Sequence, residues 1–350
     1  MNTASPLRLF NAPTVPLESG PVELETVDCP LCWGNQHETV LFAKDESRHT
    51  GGSFRIVRCE NCGLTFTNPR PTARSLAQFY PSDYKPHLDK GEAAHLRAPF
   101  RRRLERALLR QRYGYPPQPA DLKNALWAAL ARVVIRRTRA RERWIPFRAP
   151  GRLLDFGCGA GDFLRHMQEY GWLVEGLDFA PQMVQALRQR GEFPAHLGSL
   201  PHPDISAGSL DAITMWHSLE HVPAPKHVLR AAADALRPRG VLGITVPNLD
   251  SWSFQKFRGH WLGLDVPRHL THFTPATLCS MVEAAGFRIL LVEQVGRDGW
   301  IRKTARQAAS DPSTPRRLHA FRWKVPAAVV ARWSELTAEA DSVRLVAEKA

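Results

Sequence analysis

The chain has 350 residues, 47 Lys and Arg against 34 Asp and Glu, a net charge of +13, and 43% hydrophobic residues, a balance that fits a globular protein and excludes an extended polar chain. No stretch reaches roughly 18 consecutive apolar residues, which excludes a membrane-spanning helix; the opening MNTASPLRLFNAPTVPLESG holds no run suited to a signal peptide, so a cytoplasmic location is expected. The charge is confined, since residues 85–152 carry 18 Lys and Arg against 5 Asp and Glu, and that segment is either a solvated linker or a surface for an anionic partner.

Four zones follow one another. Residues 1–22, rich in Pro, Thr and Ser, read as a disordered lead-in. Residues 23–84 hold Cys29-Pro-Leu-Cys32 and Cys59-Glu-Asn-Cys62-Gly63, with strand-like runs at 38–43 and 54–58. Each pair forms a knuckle presenting two thiols, and two knuckles complete a tetrahedral site. With Cys29, Cys32, Cys59 and Cys62 as ligands no position is left for water. A structural zinc is therefore expected, ahead of an iron–sulfur cluster. Residues 85–150 read as a basic helical linker or cap, with Leu126, Leu130, Val133 and Val134 at helical spacing among arginines. That amphipathic stretch suggests peripheral contact with an anionic membrane at the inner face.

From residue 151 the texture changes to strands alternating with helices. GRLLDFG, WLVEGLDF, AHLGSL, SLDAITMWH, GVLGITVPN, FRILLVEQVG and DSVRLVAEK read as seven strands. Helices are expected at 162–170, 180–191, 226–236 and 275–285, and an irregular, partly helical insert at about 299–340. The fold class is α/β: βαβ units with a mostly parallel sheet covered on both faces.

The first of these strands ends in LLDFGCGAG, placing Gly157, Gly159 and Gly161 between a strand and a helix. There the chain turns tightly and lets a ligand approach the backbone. Asp178 ends the second strand, where a carboxylate can accept both hydroxyls of a ribose. A glycine turn of this kind is shared with NAD-binding folds. Three features favour another cofactor: Asp155, two positions before the first glycine and better matched to an amino group than to a pyrophosphate; the run from Asp211 to Glu220 and His221 at the fourth strand; and the seventh strand.

Residues 151–298 resemble the class I S-adenosylmethionine-dependent methyltransferases, a Rossmann-like seven-stranded fold. The resemblance implies that Asp155, Gly157, Cys158, Gly159 and Gly161 lie along the methionine part of the cofactor. It places Asp178 and Phe179 at the ribose, and Trp216 at the fourth strand. Where the family commonly has an acid near the adenine, this chain has Gly198-Ser199-Leu200, so Ser199 and Leu200 are the candidates there. The tract RIVRCENCGLTFTNPRPT, the core, and GHWLGLDVPRHLTHFT together are similar to bacterial methyltransferases associated with cell-surface polysaccharide synthesis, and more loosely to zinc-containing sugar C-methyltransferases. By that resemblance the acceptor is a small molecule, such as a sugar nucleotide or lipid-linked saccharide, methylated at oxygen or carbon. An rRNA methyltransferase and a non-catalytic cofactor-binding protein are the alternatives. Nucleic acid is disfavoured, because the basic tract lacks interleaved stacking aromatics.

Reactive groups are expected where strands end, above the sheet. His217 is the preferred base, with Glu220 and His221 beside it. The spacing of these three also fits a divalent-metal site, the less favoured reading. Residues 248–274 are too long for a plain connection and supply Trp252, Phe257, His260, Trp261, Arg268, His269 and His272. Its aromatic faces suit a sugar or else form a satellite core, and Arg268 and His269 are its catalytic candidates.

Overall fold

A computed structural model of the protein describes residues 22–45, 52–80, 106, 109–110, 113–116, 143–148 and 150–350. Nearly all of the lead-in and most of the basic linker, including the expected amphipathic stretch, lie outside these residues.

The N-terminal unit contains β1 (Leu24–Glu25), β2 (His37–Lys44), β3 (Ser53–Cys59), β4 (Thr65–Thr67), β5 (Arg70–Pro71) and a single helical turn, α1 (Ala73–Leu76). The larger unit then runs β6 (Arg152–Phe156), α2 (Asp162–Gln168), β7 (Leu173–Asp178), α3 (Pro181–Arg190), β8 (Ala195–Leu197) and β9 (Leu210–Trp216). It continues through α4 (Pro225–Ala235), β10 (Leu236–Pro247), α5 (Trp252–Phe257), β11 (Thr271–His272), α6 (Pro275–Glu283) and β12 (Phe287–Val295). Two further helices, α7 (Asp298–Ala308) and α8 (Lys324–Leu336), precede the last strand, β13 (Ser342–Lys349).

Seven strands form one sheet in the order β12-β13-β10-β9-β6-β7-β8. Only β13 runs antiparallel, between β10 and β12. The inner strands are buried almost end to end because helices cover both faces. Their sequences are accordingly continuous apolar runs. Local signals end the helices where expected: Gly191 closes α3 in the left-handed conformation, and Thr274 and Thr277 form a capping box at the start of α6.

The second sheet has the order β11-β4-β3-β2, so the larger unit contributes a strand to the N-terminal one. Thr271 pairs with Phe66 and His272 with Thr65. The cores merge as well. Cys29, Val57, Leu64 and Phe66 pack in one cluster with Leu154, Ile213, Leu229, Phe273 and Leu278. Phe54, Ile56 and Phe79 pack with Leu249, Phe254, Trp261, Leu264 and Val266. The segment 248–274 therefore does not offer its aromatics to a ligand as a sugar platform would. Trp261 and Phe257 are buried, and Trp252 stacks edge-on against Phe257 and Phe321. They form satellite cores, Trp261 against Ile56 and Phe54 of the N-terminal sheet and Phe257 and Trp252 against Ala305, Ala308, Leu318 and Phe321 of the insert.

Arg268 closes the same interface with charge. It is fully buried, its guanidinium donating to Asp265 at 2.6 Å and to Asp45, at the end of β2, at 2.8 Å. Although burial acts against both charges, these bonds hold the Asp265 carboxyl down at about 2 and the guanidinium firmly protonated. Removing one member of a buried pair leaves an unanswered charge, at a cost of about 3–5 kcal/mol. Asp45→Ala is expected to lose stability of that order in urea unfolding. Arg58→Ala, which breaks an exposed ion pair with Glu38, should change it by less than about 1 kcal/mol.

Candidate active site

The turn between β6 and α2 is fixed by backbone geometry. Gly157, Gly159 and Gly161 all have positive φ, at 76°, 52° and 81°, where a side chain is strained. A Cβ on Gly157 would lie 2.5 Å from the Cβ of Ser218, and one on Gly161 would lie 2.7–2.8 Å from Phe193 and Leu187. At Gly159 a Cβ would meet nothing within 4 Å. Two of the glycines thus answer to packing, and the middle one faces open space. Asp178 anchors the loop, its carboxylate accepting from the Gly159 N–H at 2.8 Å and the Ala180 N–H at 2.9 Å. Each oxygen keeps a lone pair beyond those bonds. Phe179 is half exposed beside it, edge-on to Tyr80 with ring centroids 5.0 Å apart.

Asp155 is buried and accepts from the Thr214 hydroxyl at 2.6 Å. Burial raises its carboxyl to about 7. Cys158 turns its thiol inward, into the space left by the missing side chain of Gly176. Trp216 lies edge-on to Phe163, its indole nitrogen without a hydrogen-bond partner among the described residues. Ser199 is exposed and Leu200 buried at the end of β8.

The close approach of Gly157 to Ser218 joins the glycine turn to the end of β9. His217 has a φ of 56°. Its Nδ1 lies 3.3 Å from the Glu220 carboxyl, and its Nε2 accepts from Arg297 at 2.5 Å. Burial and the neighbouring guanidinium hold this imidazole neutral. His269 donates from Nδ1 to the Gly263 carbonyl at 2.8 Å, which leaves Nε2 as a lone pair 4.0 Å from Glu220. His221 stacks edge-on against His269 at 4.6 Å, and its Nδ1 meets the Arg268 carbonyl at 3.1 Å and the Tyr80 hydroxyl at 2.7 Å. Glu220 is buried with one oxygen unpartnered among the described residues, and burial pushes its carboxyl up to about 8. Donor atoms of Glu220, His221 and His269 all fall within 4.8 Å of one another. A divalent cation could therefore be met by these three, with His269 taking the place that spacing alone gave to His217.

The structure thus gathers His217, Glu220, His221 and His269 at one edge and places Arg268 apart from them, buried in its ion pairs. Tyr80, Arg297 and Trp300 are site residues that spacing could not reveal. Trp300 stacks over His217 at 5.4 Å and carries the Arg297 guanidinium on its ring.

In the N-terminal unit the four expected thiols converge. Cys29 and Cys62 sulfurs lie 3.4 Å apart, Cys32 and Cys59 3.5 Å, and all four fall within 4.8 Å of one another. Sulfurs about 3.8 Å apart are what four bonds of about 2.3 Å to one tetrahedral ion require. A Cβ on Gly34 would crowd two of them, at 3.3 and 3.4 Å. Burial raises the Cys29 and Cys62 thiols, the latter to about 11. At the more open Cys32 burial is outweighed by hydrogen bonds from the Gly34 N–H and Asn61, and the thiol falls to about 7.

Residues 126–292 match the family model described as a methyltransferase domain. The chain is 32% identical over 165 residues to the ubiquinone biosynthesis O-methyltransferase of Aeromonas salmonicida, covering 43% of this chain and 69% of that protein. The chain belongs to the methyltransferases. The enzyme of the same description from Xanthomonas axonopodis pv. citri is 30% identical to this methyltransferase over 166 residues, 43% of this chain and 69% of that protein. The solved S-adenosylmethionine-dependent methyltransferase from Archaeoglobus fulgidus is 21% identical, with a TM-score of 0.41 over 63% of this chain and 92% of that one.

The buried groups give this methyltransferase a two-sided pH dependence. Burial, reinforced by His269, lowers His221 and His272 to about 3, against about 6.5 in an unfolded chain. Their contribution is complete above about 6.5 and is lost as pH falls toward 3, because the unfolded state binds the protons first. Glu220 and Asp155 act the other way, being raised to about 8 and about 7. Their contribution is complete below about 4 and is lost as pH rises through those values, by roughly 1.4 kcal/mol per pH unit and group. Thermal unfolding without cofactor should show both limbs. Glu220→Gln should flatten the alkaline limb between pH 6.5 and 8, and His272→Phe the acid one.

Proposed function

We propose that this methyltransferase methylates a hydroxyl of a small acceptor held at the end of β9, and that a zinc ion in the four-thiolate cluster secures the wall opposite. One observation carries the reading. A Cβ built on Gly157 would fall 2.5 Å from Ser218, so the glycine turn abuts the end of β9, where the imidazole–carboxyl cluster begins. S-adenosylmethionine, when bound, supplies a methyl group on a cationic sulfur, open to direct displacement.

The pocket fits such a molecule. Gly159 leaves room against the backbone, Asp178 keeps lone pairs for ribose hydroxyls, and the buried Asp155 carboxyl suits an amino group. The uncapped N–H groups at the start of α2 add a favourable dipole for a carboxylate. On the acceptor side, Trp300 and Arg297 roof the space from one flank and Tyr80 and Phe179 from the other. Their task is alignment and exclusion of water. Two neutral imidazoles are candidates to take the hydroxyl proton: His217, once Arg297 releases its Nε2, and His269, whose Nε2 is already a lone pair. Glu220 and His221 orient them, and Arg268 holds His269 in place from behind.

Two acceptor classes are argued. A sugar or glycan precursor follows from the tract around the cysteine knuckles and the GHWLGLDVPRHLTHFT segment. A phenolic ring follows from relatives described as ubiquinone biosynthesis O-methyltransferases. A basic tract without interleaved stacking aromatics disfavours RNA. Labelled cofactor should be offered with sugar nucleotides, lipid-linked saccharides and simple catechols in parallel; transfer to RNA alone would sink the small-acceptor reading.

Three outcomes are expected. Asp178→Asn keeps an oxygen for the loop N–H groups and should weaken cofactor binding about 10- to 100-fold by calorimetry; unchanged affinity would remove the ribose assignment. Replacing the true base, by His217→Gln or His269→Gln, should lower kcat about 100-fold or more with cofactor affinity kept. Elemental analysis should find one zinc per chain, lost in Cys32→Ser/Cys59→Ser together with a cooperative part of the unfolding transition.

A further inference from the structure

Helix α8 is built with its large residues outward. Ala327, Ala331 and Ser334 form its buried side, against α7. The solvent side carries Val325 (73% exposed), Val329 (63%), Trp333 (45%) and Leu336 (73%), with Trp323 (61%) just before it. At about 100° per residue the four helical positions fall within an arc of roughly 80°. A core requirement would place bulk inside and small residues outside, so packing among the described residues does not account for the pattern.

The charge around this stripe has one sign. From Pro312 to Ser334 there is no Asp or Glu, while Arg316, Arg317, Arg322 and Lys324 are exposed. The Arg322 guanidinium lies over the Trp323 ring at 5.1 Å. Arg332, beside the stripe, is answered within the helix by Glu335. We propose that α8 and the turn before it dock on an anionic lipid surface, with Val325, Val329, Trp333 and Leu336 entering the headgroup boundary and the arginines and lysine facing lipid phosphates. Tryptophan at both ends of the stripe matches the preference of indole for that boundary. A two-fold contact between copies would bring this cationic rim against itself, with only Glu335, already paired with Arg332, to answer it.

The docking face lies one helix from the site, because α7, on which α8 packs, begins with the Arg297 and Trp300 that cover His217. A bilayer-bound enzyme would therefore hold its acceptor entrance beside the lipid. The inference does not depend on the acceptor class, since its readout is binding and not methyl transfer.

The full chain should be tested by flotation with vesicles of phosphatidylcholine alone and of phosphatidylcholine with phosphatidylglycerol, alongside Val325→Asp/Val329→Asp, whose exposed positions leave folding and cofactor binding intact. The wild type should float with the anionic vesicles, and the double variant should partition at least about tenfold less. Brominated lipids should quench fluorescence in the wild type and much less in Trp323→Phe/Trp333→Phe, a difference that quenching of Trp127 in the basic segment would not give. Equal flotation of wild type and double variant would overturn the proposal. So would a dimer in sedimentation that the double variant abolishes while neither form binds vesicles.

Discussion

The arrangement turns on one buried guanidinium. Arg268 is held between Asp265, three residues before it, and Asp45, from the far unit. Its neighbours then have no freedom: the His269 N–H donates to Asp265 and the Leu270 N–H to the Glu220 carbonyl, while the Leu270 carbonyl accepts from Thr67. That short stretch stitches together the N-terminal sheet, the turn after β9 and the loop carrying His269. A charge enters a protein interior only when it is answered on all sides, and here the answer requires three segments to be in place at once.

The N-terminal unit is consequently part of the wall of the candidate site. Lys226 donates to the Leu31 carbonyl in the first knuckle at 2.7 Å, and Arg70 to the Pro223 carbonyl at 2.7 Å. Both bonds grip the connection from β9 to α4, on which Glu220 and His221 sit. The Tyr80 hydroxyl completes this wall against His221. The thiol cluster thus lies at the root of a strut that reaches the chemistry.

Much of this was legible in the sequence, for local reasons. The glycine turn, Asp178 and the two cysteine knuckles depend on residues close together in the chain, and the seven strands announce themselves as apolar runs between helices. The β11 pairing was not legible, because two residues carry no periodicity. Arg268 read as a candidate for the acceptor, since arginine in a loop is normally exposed; only Asp45, 223 positions away, explains its burial. The aromatics of 248–274 had two readings, and their packing against the N-terminal sheet on one side and the insert on the other decided between them. His217 was found by its place after β9, but the Arg297 that occupies its Nε2 lies 80 residues on.

The pairing of β11 with β4 also sets an order of events in the making of the protein. Thr67 bonds to a carbonyl 202 residues downstream, so the first sheet emerges from the ribosome with an unfinished edge and stays so until most of the chain has been translated. Loops of this span close slowly, and an open strand edge invites strangers. The cysteine knuckles are complete far earlier, by residue 62, and an ion captured there would keep the nascent hairpin in shape while it waits for its last strand.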